Sequence, residues 1–138
     1  VTRMEIYKSA FELIKENPFF GIGAGSFTEI FFLNTNFWKG HSHNLLLELS
    51  ISYGIPATTI FFMTTFNILY LSSKKIFINK KIIDIPYVDR AFWSSLFFFL
   101  ISQLADVQYF DGKISLITWI LIAGLKNIIS DKKYTVLA

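Results

Sequence analysis

Apolar positions near the start of the chain recur with the spacing of a single helix face. Thr2 with Glu5 three positions later is the pattern of a capping box, in which each side chain hydrogen-bonds the other residue's backbone at the start of a helix. The Asn17–Pro18 pair predicts the end of this helix, because a residue that precedes proline is pushed out of the helical conformation. We therefore expect an amphipathic helix over residues 2–16. Its apolar face consists of Ile6, Ala10, Leu13 and Ile14.

The rest of the chain is dominated by apolar stretches that are nearly free of charge. Residues 45–73 form the first stretch, which we expect to be kinked at Gly54 and Pro56. A proline is tolerated in the first turn of a helix, so Pro56 can start a new helix after the kink. Residues 91–129 form the second, which is predicted to be a transmembrane hairpin. A bilayer requires ~20 apolar residues per spanning helix. The pattern predicts an all-α polytopic membrane protein with about three transmembrane helices, preceded by an extracytoplasmic loop region that contains the amphipathic helix.

Composition supports a membrane protein and excludes several other classes. Hydrophobic residues make up 53% and aromatic residues 18% of the 138 residues, and the mean hydropathy is +0.48. The charges collect at the two ends and in one central loop, so membrane lipid is the expected surrounding of the apolar stretches. No basic stripe with interleaved aromatic residues is present, and no nucleic-acid partner is expected. The absence of cysteine excludes disulfides and thiolate metal sites.

The distribution of positive charge predicts the orientation in the membrane. The loop at residues 74–90 carries five basic residues against two acidic ones, and the tail at residues 130–138 carries two lysines. The positive-inside rule places both segments in the cytoplasm. Residues 1–44 and the loop at 106–113 are then expected together on the outer side. Because the chain begins at Val1 without a start methionine or a signal-peptide pattern, we interpret it as the C-terminal part of a longer polytopic protein.

Three alternate glycines, Gly21, Gly23 and Gly25, form the first candidate motif. They lack the Gly-Lys-Ser/Thr ending of a Walker A loop. They also follow a helix and a proline instead of a strand, which excludes a dinucleotide-binding fingerprint. The run predicts a structural turn.

The two histidines of the chain, His41 and His43, lie directly before the first long apolar stretch. An imidazole can act as a base near neutral pH. The spacing of two places both rings on one face of an extended segment, but not of a helix. A metal site would need a third ligand, for which Glu48 or Asp106 is available. The alternative is a pair of interfacial histidines that cap the helix beginning near Asn44.

Two aspartates and an arginine complete the candidates. Asp111 with Gly112 is typical of a turn, whereas Asp106 either ends a span or contributes to a site. Arg3 is either a solvated charge or a phosphate contact, since a planar guanidinium offers phosphate a two-point hydrogen bond.

Two segments of the chain resemble the O-antigen ligase and polymerase superfamily of bacterial envelope glycosyltransferases. In the first, Arg3 is followed at residues 17–27 by Asn-Pro-Phe-Phe-Gly-Ile-Gly-Ala-Gly-Ser-Phe, similar to the family's Arg…Pro-Leu-Phe-Gly-Val-Gly…Phe. In the second, His43–Asn44 is separated by nine residues from Gly54, as in the ligase motif His-Asn/Ser/Gln-x9-Gly-x-x-Gly-Thr. Ala57 stands where the ligases carry their second glycine.

A third segment extends the resemblance towards the end of the chain. Residues 102–125, with Asp106, Asp111 and Trp119, are similar to the family's last two spans. Residues 103–111 look like cyanobacterial members of the superfamily, some of which carry a bicarbonate-transporter label. Transport of a small anion is therefore the alternative function.

The resemblance implies the C-terminal part of a multi-pass inner-membrane glycosyltransferase, active on its periplasmic face, in lipopolysaccharide or related polysaccharide biosynthesis. The implied donor is a polyprenyl-diphosphate-linked glycan, and the implied acceptor is a glycan or a lipid-linked sugar. By resemblance, His43 is the catalytic base, and Arg3, His41 and Asn44 bind substrate. Asp106 is a further candidate. No metal and no cofactor are implied.

Overall fold

The computed structural model describes residues 1–78 and 87–131, and every regular element within these ranges is helical. The predicted all-α class is thereby confirmed for this part of the chain. The lysines at 80, 81, 132 and 133, on which the predicted cytoplasmic segments partly depend, lie outside the described residues. The elements are α1 (Arg3–Glu16), α2 (Ser26–Thr35), α3 (Leu45–Ser73), a π-helical turn (Lys74–Ile78), α4 (Tyr87–Ser102) and α5 (Gly112–Ser130).

Helix α1 begins with the predicted capping box. The Glu5 backbone N–H donates to the Thr2 hydroxyl at 3.3 Å, and the Thr2 N–H donates to the Glu5 carboxylate at 2.7 Å. These hydrogen bonds lower the pKa of Glu5, the backbone one from Thr2 most strongly. The helix ends at the predicted position, with Asn17 as its C-cap. The sequence pattern therefore sets both ends of α1 correctly.

The apolar face of α1 packs in a small core with α2 and the first turns of α3. Burial of such side chains contributes ~1.5–3 kcal/mol for each large residue, so this core fixes α1 against the start of α3. The buried members are Ile6, Ala10, Ile14, Phe27, Phe31, Leu47 and Ile51.

Helix α3 is bent where the sequence predicts, at Gly54, whose backbone is non-helical with φ +82°. The bend frees the carbonyls of Ile51 and Ser52, because Pro56 has no N–H and the Ile55 N–H donates elsewhere. The loop after α1 satisfies all three groups. Ile22 N–H donates to the Ile51 carbonyl at 2.8 Å, Gly23 N–H donates to the Ser52 carbonyl at 3.1 Å, and Ile55 N–H donates to the Pro18 carbonyl at 2.8 Å.

The predicted glycine turn has a specific packing role at this bend. Gly21, Gly23 and Gly25 all have positive φ, a conformation that costs other residues roughly 1–2 kcal/mol. A Cβ on Gly21 would come within 2.7 Å of the Ser52 carbonyl oxygen, so the loop and α3 approach closely only because glycine is there.

The chain divides into two compact units, and the boundary falls within α3. The first unit contains Val1–Phe62 and Ser102–Gln108, and the second contains Met63–Ile101 and the described residues from Tyr109. The second unit has its own apolar core. In it, the Trp93 indole N–H donates to the Leu69 carbonyl at 2.9 Å. The buried core residues are Leu69, Ile76, Leu96, Leu100, Ile122, Leu125 and Ile128.

Two helices of the described chain are long and apolar enough to cross a membrane. The first is α3 together with most of the π-helical turn that follows it, Leu45–Phe77, with 33 residues. The second is α5, Gly112–Ser130, with 19 residues. They correspond to the first and third predicted spans. Helix α4, which corresponds to the second, has 16 residues and a length of ~24 Å. It is therefore somewhat shorter than the ~30 Å hydrocarbon core of a bilayer.

Candidate active site

The His41–Asn44 loop before α3 is held by a buried carboxylate one turn inside that helix. Glu48 is 3% exposed, and its Oε2 accepts the Ser42 backbone N–H at 2.7 Å. The Ser42 hydroxyl, itself fully buried, donates to the Asn44 carbonyl at 3.2 Å. Hydrogen bonds from a backbone N–H to a carboxylate are stronger than those between neutral groups. The bond to Glu48 therefore holds the loop in place at Ser42, between the two histidines.

Asn44, and not a histidine, caps α3. Its side-chain oxygen accepts the N–H groups of Leu46 at 3.0 Å and Leu47 at 3.3 Å, which would otherwise lack helical partners. Its amide N–H donates to the Leu104 carbonyl at 3.2 Å. The Leu45 N–H donates to the Gln103 carbonyl at 2.9 Å. These bonds join the start of α3 to the turn that follows α4.

This connection brings Asp106 to the histidines, 63 residues from His43 in the sequence. The Oδ1 atom of Asp106 lies 3.0 Å from His43 Nδ1 and 3.7 Å from His41 Nε2. The two rings lie edge to face, with centroids 4.5 Å apart. The Val107 N–H also donates to Oδ1, at 2.9 Å, which fixes the carboxylate relative to its own backbone.

The hydrogen bonds assign the tautomers of the two neutral imidazoles. His41 Nδ1 accepts the backbone N–H of His43 at 3.2 Å, so neutral His41 carries its proton on Nε2, on the side of Asp106. His43 Nδ1 donates to Asp106, which leaves His43 Nε2 with a free lone pair. The arrangement therefore presents one unprotonated ring nitrogen whose partner nitrogen is bonded to a carboxylate.

Asp106 is held in its ionised form. The hydrogen bond from His43 is the main cause that lowers the pKa of Asp106, and the Val107 N–H adds to it, while slight burial acts in the opposite direction. An ionised carboxylate stabilises the protonated state of a neighbouring imidazole. The pair can thus accept a proton at His43 without leaving an isolated positive charge.

The backbone of His43 has φ +56°, in the left-handed region. Histidine is enriched there compared with most residues, but the conformation is still uncommon outside glycine. The turn directs the side chain back towards Asp106, and His43 remains 26% exposed. The ring is consequently held in place and still open to a reactant.

The remaining sequence candidates lie elsewhere or have structural roles. Arg3 is the first residue of α1 and is exposed, and no contact joins it to the histidines. Asp111 has the structural role that the sequence favours, although it is the N-cap of α5 and not part of a turn with Gly112. Its carboxylate accepts the N–H groups of Lys113 and Ile114. The predicted alternative metal ligand Glu48 is bonded to the loop instead of joining the cluster.

One residue of the site, Gln103, is missed by the sequence analysis. Gln103 is 1% exposed, and its side-chain carbonyl accepts the Gln108 N–H at 2.8 Å, which closes the turn that presents Asp106. Glu48 is named from the sequence only as a metal ligand, and its role in holding the loop is not predicted. For both residues the signal is a polar side chain in an apolar run, where a hydrogen-bond partner is required.

Three side chains of the described residues are arranged so that they could hold a metal ion. His41, His43 and Asp106 each offer one ligand atom, and these atoms lie within 4.8 Å of one another. Two imidazoles and a carboxylate form a ligand set that zinc accepts.

Comparison with protein families finds a match for the first part of the chain. Residues 1–62 match the family described as O-Antigen ligase. The match includes Arg3, His41 and His43 and ends before Asp106. Comparisons with curated proteins and with solved structures find no match. The family match confirms the resemblance for the two segments within residues 1–62. Together with the apolar helices it indicates a bacterial membrane protein, and it gives no support to the anion-transport alternative.

Proposed function

Because residues 1–62 match the O-antigen ligase family, we propose that the chain is the C-terminal part of an integral-membrane glycosyltransferase. It moves a glycan from a polyprenyl-diphosphate carrier to the hydroxyl of an acceptor sugar. The observation that carries the proposal is the 3.0 Å contact between His43 Nδ1 and Asp106, which leaves the other ring nitrogen free to act as a base.

The proposed reaction is a displacement at the anomeric carbon of the donor sugar. The acceptor hydroxyl gives its proton to His43 Nε2 as its oxygen forms the new glycosidic bond, because a sugar hydroxyl is a poor nucleophile without a base. The bond between the anomeric carbon and the diphosphate oxygen breaks, and the electron pair leaves with the polyprenyl diphosphate. Asp106 stabilises the imidazolium that forms at His43.

The leaving group explains why neither a general acid nor a metal is required. A diphosphate is already a weak base, so it departs without a proton. Its growing charge needs cationic stabilisation, for which a guanidinium is well suited. Arg3 is the proposed contact, since it is exposed at the end of an amphipathic helix that can lie on the membrane surface. Further cations would come from other parts of the full-length protein.

His41 and Asn44 have supporting roles in this proposal. The His41 ring accepts the His43 N–H and so supports the left-handed turn at His43. The two polar side-chain atoms of Asn44 are bonded to the start of α3 and to the Leu104 carbonyl. Asn44 therefore contributes to substrate binding by holding the two segments of the site together.

The proposed location is the periplasmic face of the bacterial inner membrane. Lys74 and Lys75, directly after α3, support a cytoplasmic end for that helix. The His41–Asn44 loop at the opposite end of α3 would then face the periplasm. That face also holds the lipid-linked donor and the glycan or lipid-linked acceptor.

The test is a transfer assay with purified full-length protein, a polyprenyl-diphosphate-linked glycan and one of two acceptors. We expect a new glycosidic product and one polyprenyl diphosphate released per transfer, with turnover unchanged by EDTA. A lipid-anchored core sugar as the productive acceptor indicates ligation, and a second donor glycan indicates polymerisation. A folded protein that forms no product with either acceptor, or that loses turnover in EDTA, would contradict the proposal.

A further inference from the structure

The His41, His43 and Asp106 cluster has the dimensions of a zinc site. Zinc–ligand bonds of ~2.0–2.1 Å in a tetrahedron place the ligand atoms about 3.3 Å apart. The Asp106 Oδ1 atom lies 3.0 Å from His43 Nδ1 and 3.7 Å from His41 Nε2, on either side of that value. All three ligand atoms lie within 4.8 Å of one another, so side-chain rotations can bring them around one ion.

The chemistry and exposure of the three side chains also suit a zinc ion. Two imidazoles and one carboxylate leave a fourth position for water, the arrangement of an open zinc site. Asp106 is 52% exposed and the histidines are 26–30% exposed, so an ion can enter from solvent. The Asp106 carboxylate pairs with the two imidazoles. A hard cation such as Mg²⁺ prefers oxygen ligands, and this set offers it one carboxylate.

We propose that Zn²⁺ binds reversibly to His41, His43 and Asp106 and thereby inhibits glycan transfer; the inhibition, though not the binding, rests on the function proposed above. Zinc bonds to His43 Nδ1 in place of the proton that this atom donates to Asp106. A neutral imidazole then carries its proton on Nε2. The atom proposed to accept the proton of the acceptor hydroxyl becomes an N–H donor, and His43 no longer acts as a base.

The structure also explains why this binding is reversible. His41 Nε2 ligates zinc only in the tautomer that has its proton on Nδ1. In that tautomer Nδ1 no longer accepts the His43 N–H, a hydrogen bond of 3.2 Å in the metal-free arrangement. Zinc binding therefore gives up one hydrogen bond that supports the loop. A permanent structural site would have its ring nitrogens satisfied in the metal-bound form.

Binding is tested with full-length protein in detergent, by competition for Zn²⁺ against a chromophoric chelator. Wild type is expected to bind one equivalent, and Mg²⁺ is not expected to compete. His41→Asn, His43→Asn and Asp106→Asn should each weaken zinc binding by more than about tenfold, since even residues that only support ligands contribute 10–100-fold. Glu29→Gln, which removes an exposed carboxylate of α2, is the matched control and should bind as wild type.

Inhibition is tested in the transfer assay, by titration with ZnCl₂ and reversal with EDTA. His41→Asn is the informative variant, because it keeps His43 and Asp106 and should retain part of its turnover while losing sensitivity to zinc. Absence of zinc binding by wild type, or equal binding by the three site variants, would overturn the site. Zinc bound at the cluster with transfer unaffected would overturn the inhibition. Zinc binding by a protein that transfers no glycan would overturn the proposed function and support the metal site.

Discussion

At the scale of single residues, the site depends on a side chain whose place in it is not visible in the sequence. His41 and His43 are recognisable from their position before an apolar helix and from the family spacing to Gly54. Asp106 could be assigned only as a candidate, because its contact with His43 depends on how the turn after α4 folds back onto Asn44. Long-range hydrogen bonds of this kind have no local sequence signature.

Arg3 is the residue-scale prediction that tests the diphosphate contact. Arg3→Lys should lower kcat with little change in donor binding, because an ammonium cannot offer the two-point hydrogen bond of a guanidinium. Arg3→Ala should lower kcat further. Lys8→Ala removes another exposed cation of α1 and is the matched control. Steady-state transfer kinetics with purified protein provide the measurement, and full activity of Arg3→Ala would exclude Arg3 from the site.

At the scale of helices, the sequence predicts individual elements better than the contacts between them. The capping box and the Asn17–Pro18 pair locate α1, and Gly54 with Pro56 locates the bend in α3. The pairing of the glycine loop with the carbonyls freed at that bend was not predicted. It consists of backbone hydrogen bonds between segments about thirty residues apart, which the sequence does not encode at any one position.

Gly54→Ala tests that pairing. A Cβ at this position would overlap the Phe19 carbonyl. The alanine would also have to adopt a backbone φ of +82°. We expect a loss of about 2–5 kcal/mol in the free energy of unfolding, from backbone strain and overpacking together. Gly25→Ala is the control, because it has φ +80° but open space around it, and it should lose only about 1–2 kcal/mol. Denaturation in mild detergent measures both, and equal losses would mean that the close approach to Phe19 has no energetic consequence.

Glu48 gives a second prediction at this scale. Glu48→Ala leaves the buried Ser42 N–H without its acceptor, which costs ~1–3 kcal/mol, and the loop that holds His43 should shift. We expect a large fall in kcat with a smaller change in KM. Glu48→Gln keeps an acceptor oxygen and should restore most of the turnover. If Glu48→Gln and Glu48→Ala lose activity equally in the transfer assay, the Ser42 hydrogen bond is not what positions the loop.

At the scale of the whole molecule, composition and charge predict the class of protein but not every span. The first and third predicted spans are long apolar helices, while α4 has 16 residues. The apolar run of α4 is only moderately long because charged residues lie on both sides of it. These are Asp89, Arg90 and Asp106. Hydropathy is therefore a good guide to whether a chain is a membrane protein. It is a poorer guide to how many helices cross the membrane.

The orientation is tested by labelling single introduced cysteines. The chain has no native cysteine, so only the introduced residue of this chain can be labelled. Lys39→Cys, two residues before His41, should react in intact cells with a thiol reagent that does not cross the inner membrane. Lys80→Cys, in the predicted cytoplasmic loop, should react only after the cells are lysed. The reverse pattern would place the histidines in the cytoplasm and contradict the proposed topology.

The turnover of His43→Asn tests whether His43 is the base of glycan transfer. Asparagine adopts the left-handed backbone of this position more readily than alanine does, and its amide cannot accept the acceptor's proton. His41→Asn makes the same chemical change two residues away. At equal membrane abundance, His43→Asn should lose about 10²–10⁴-fold in kcat and His41→Asn much less. A His43→Asn protein that transfers glycan at the wild-type rate would contradict the account.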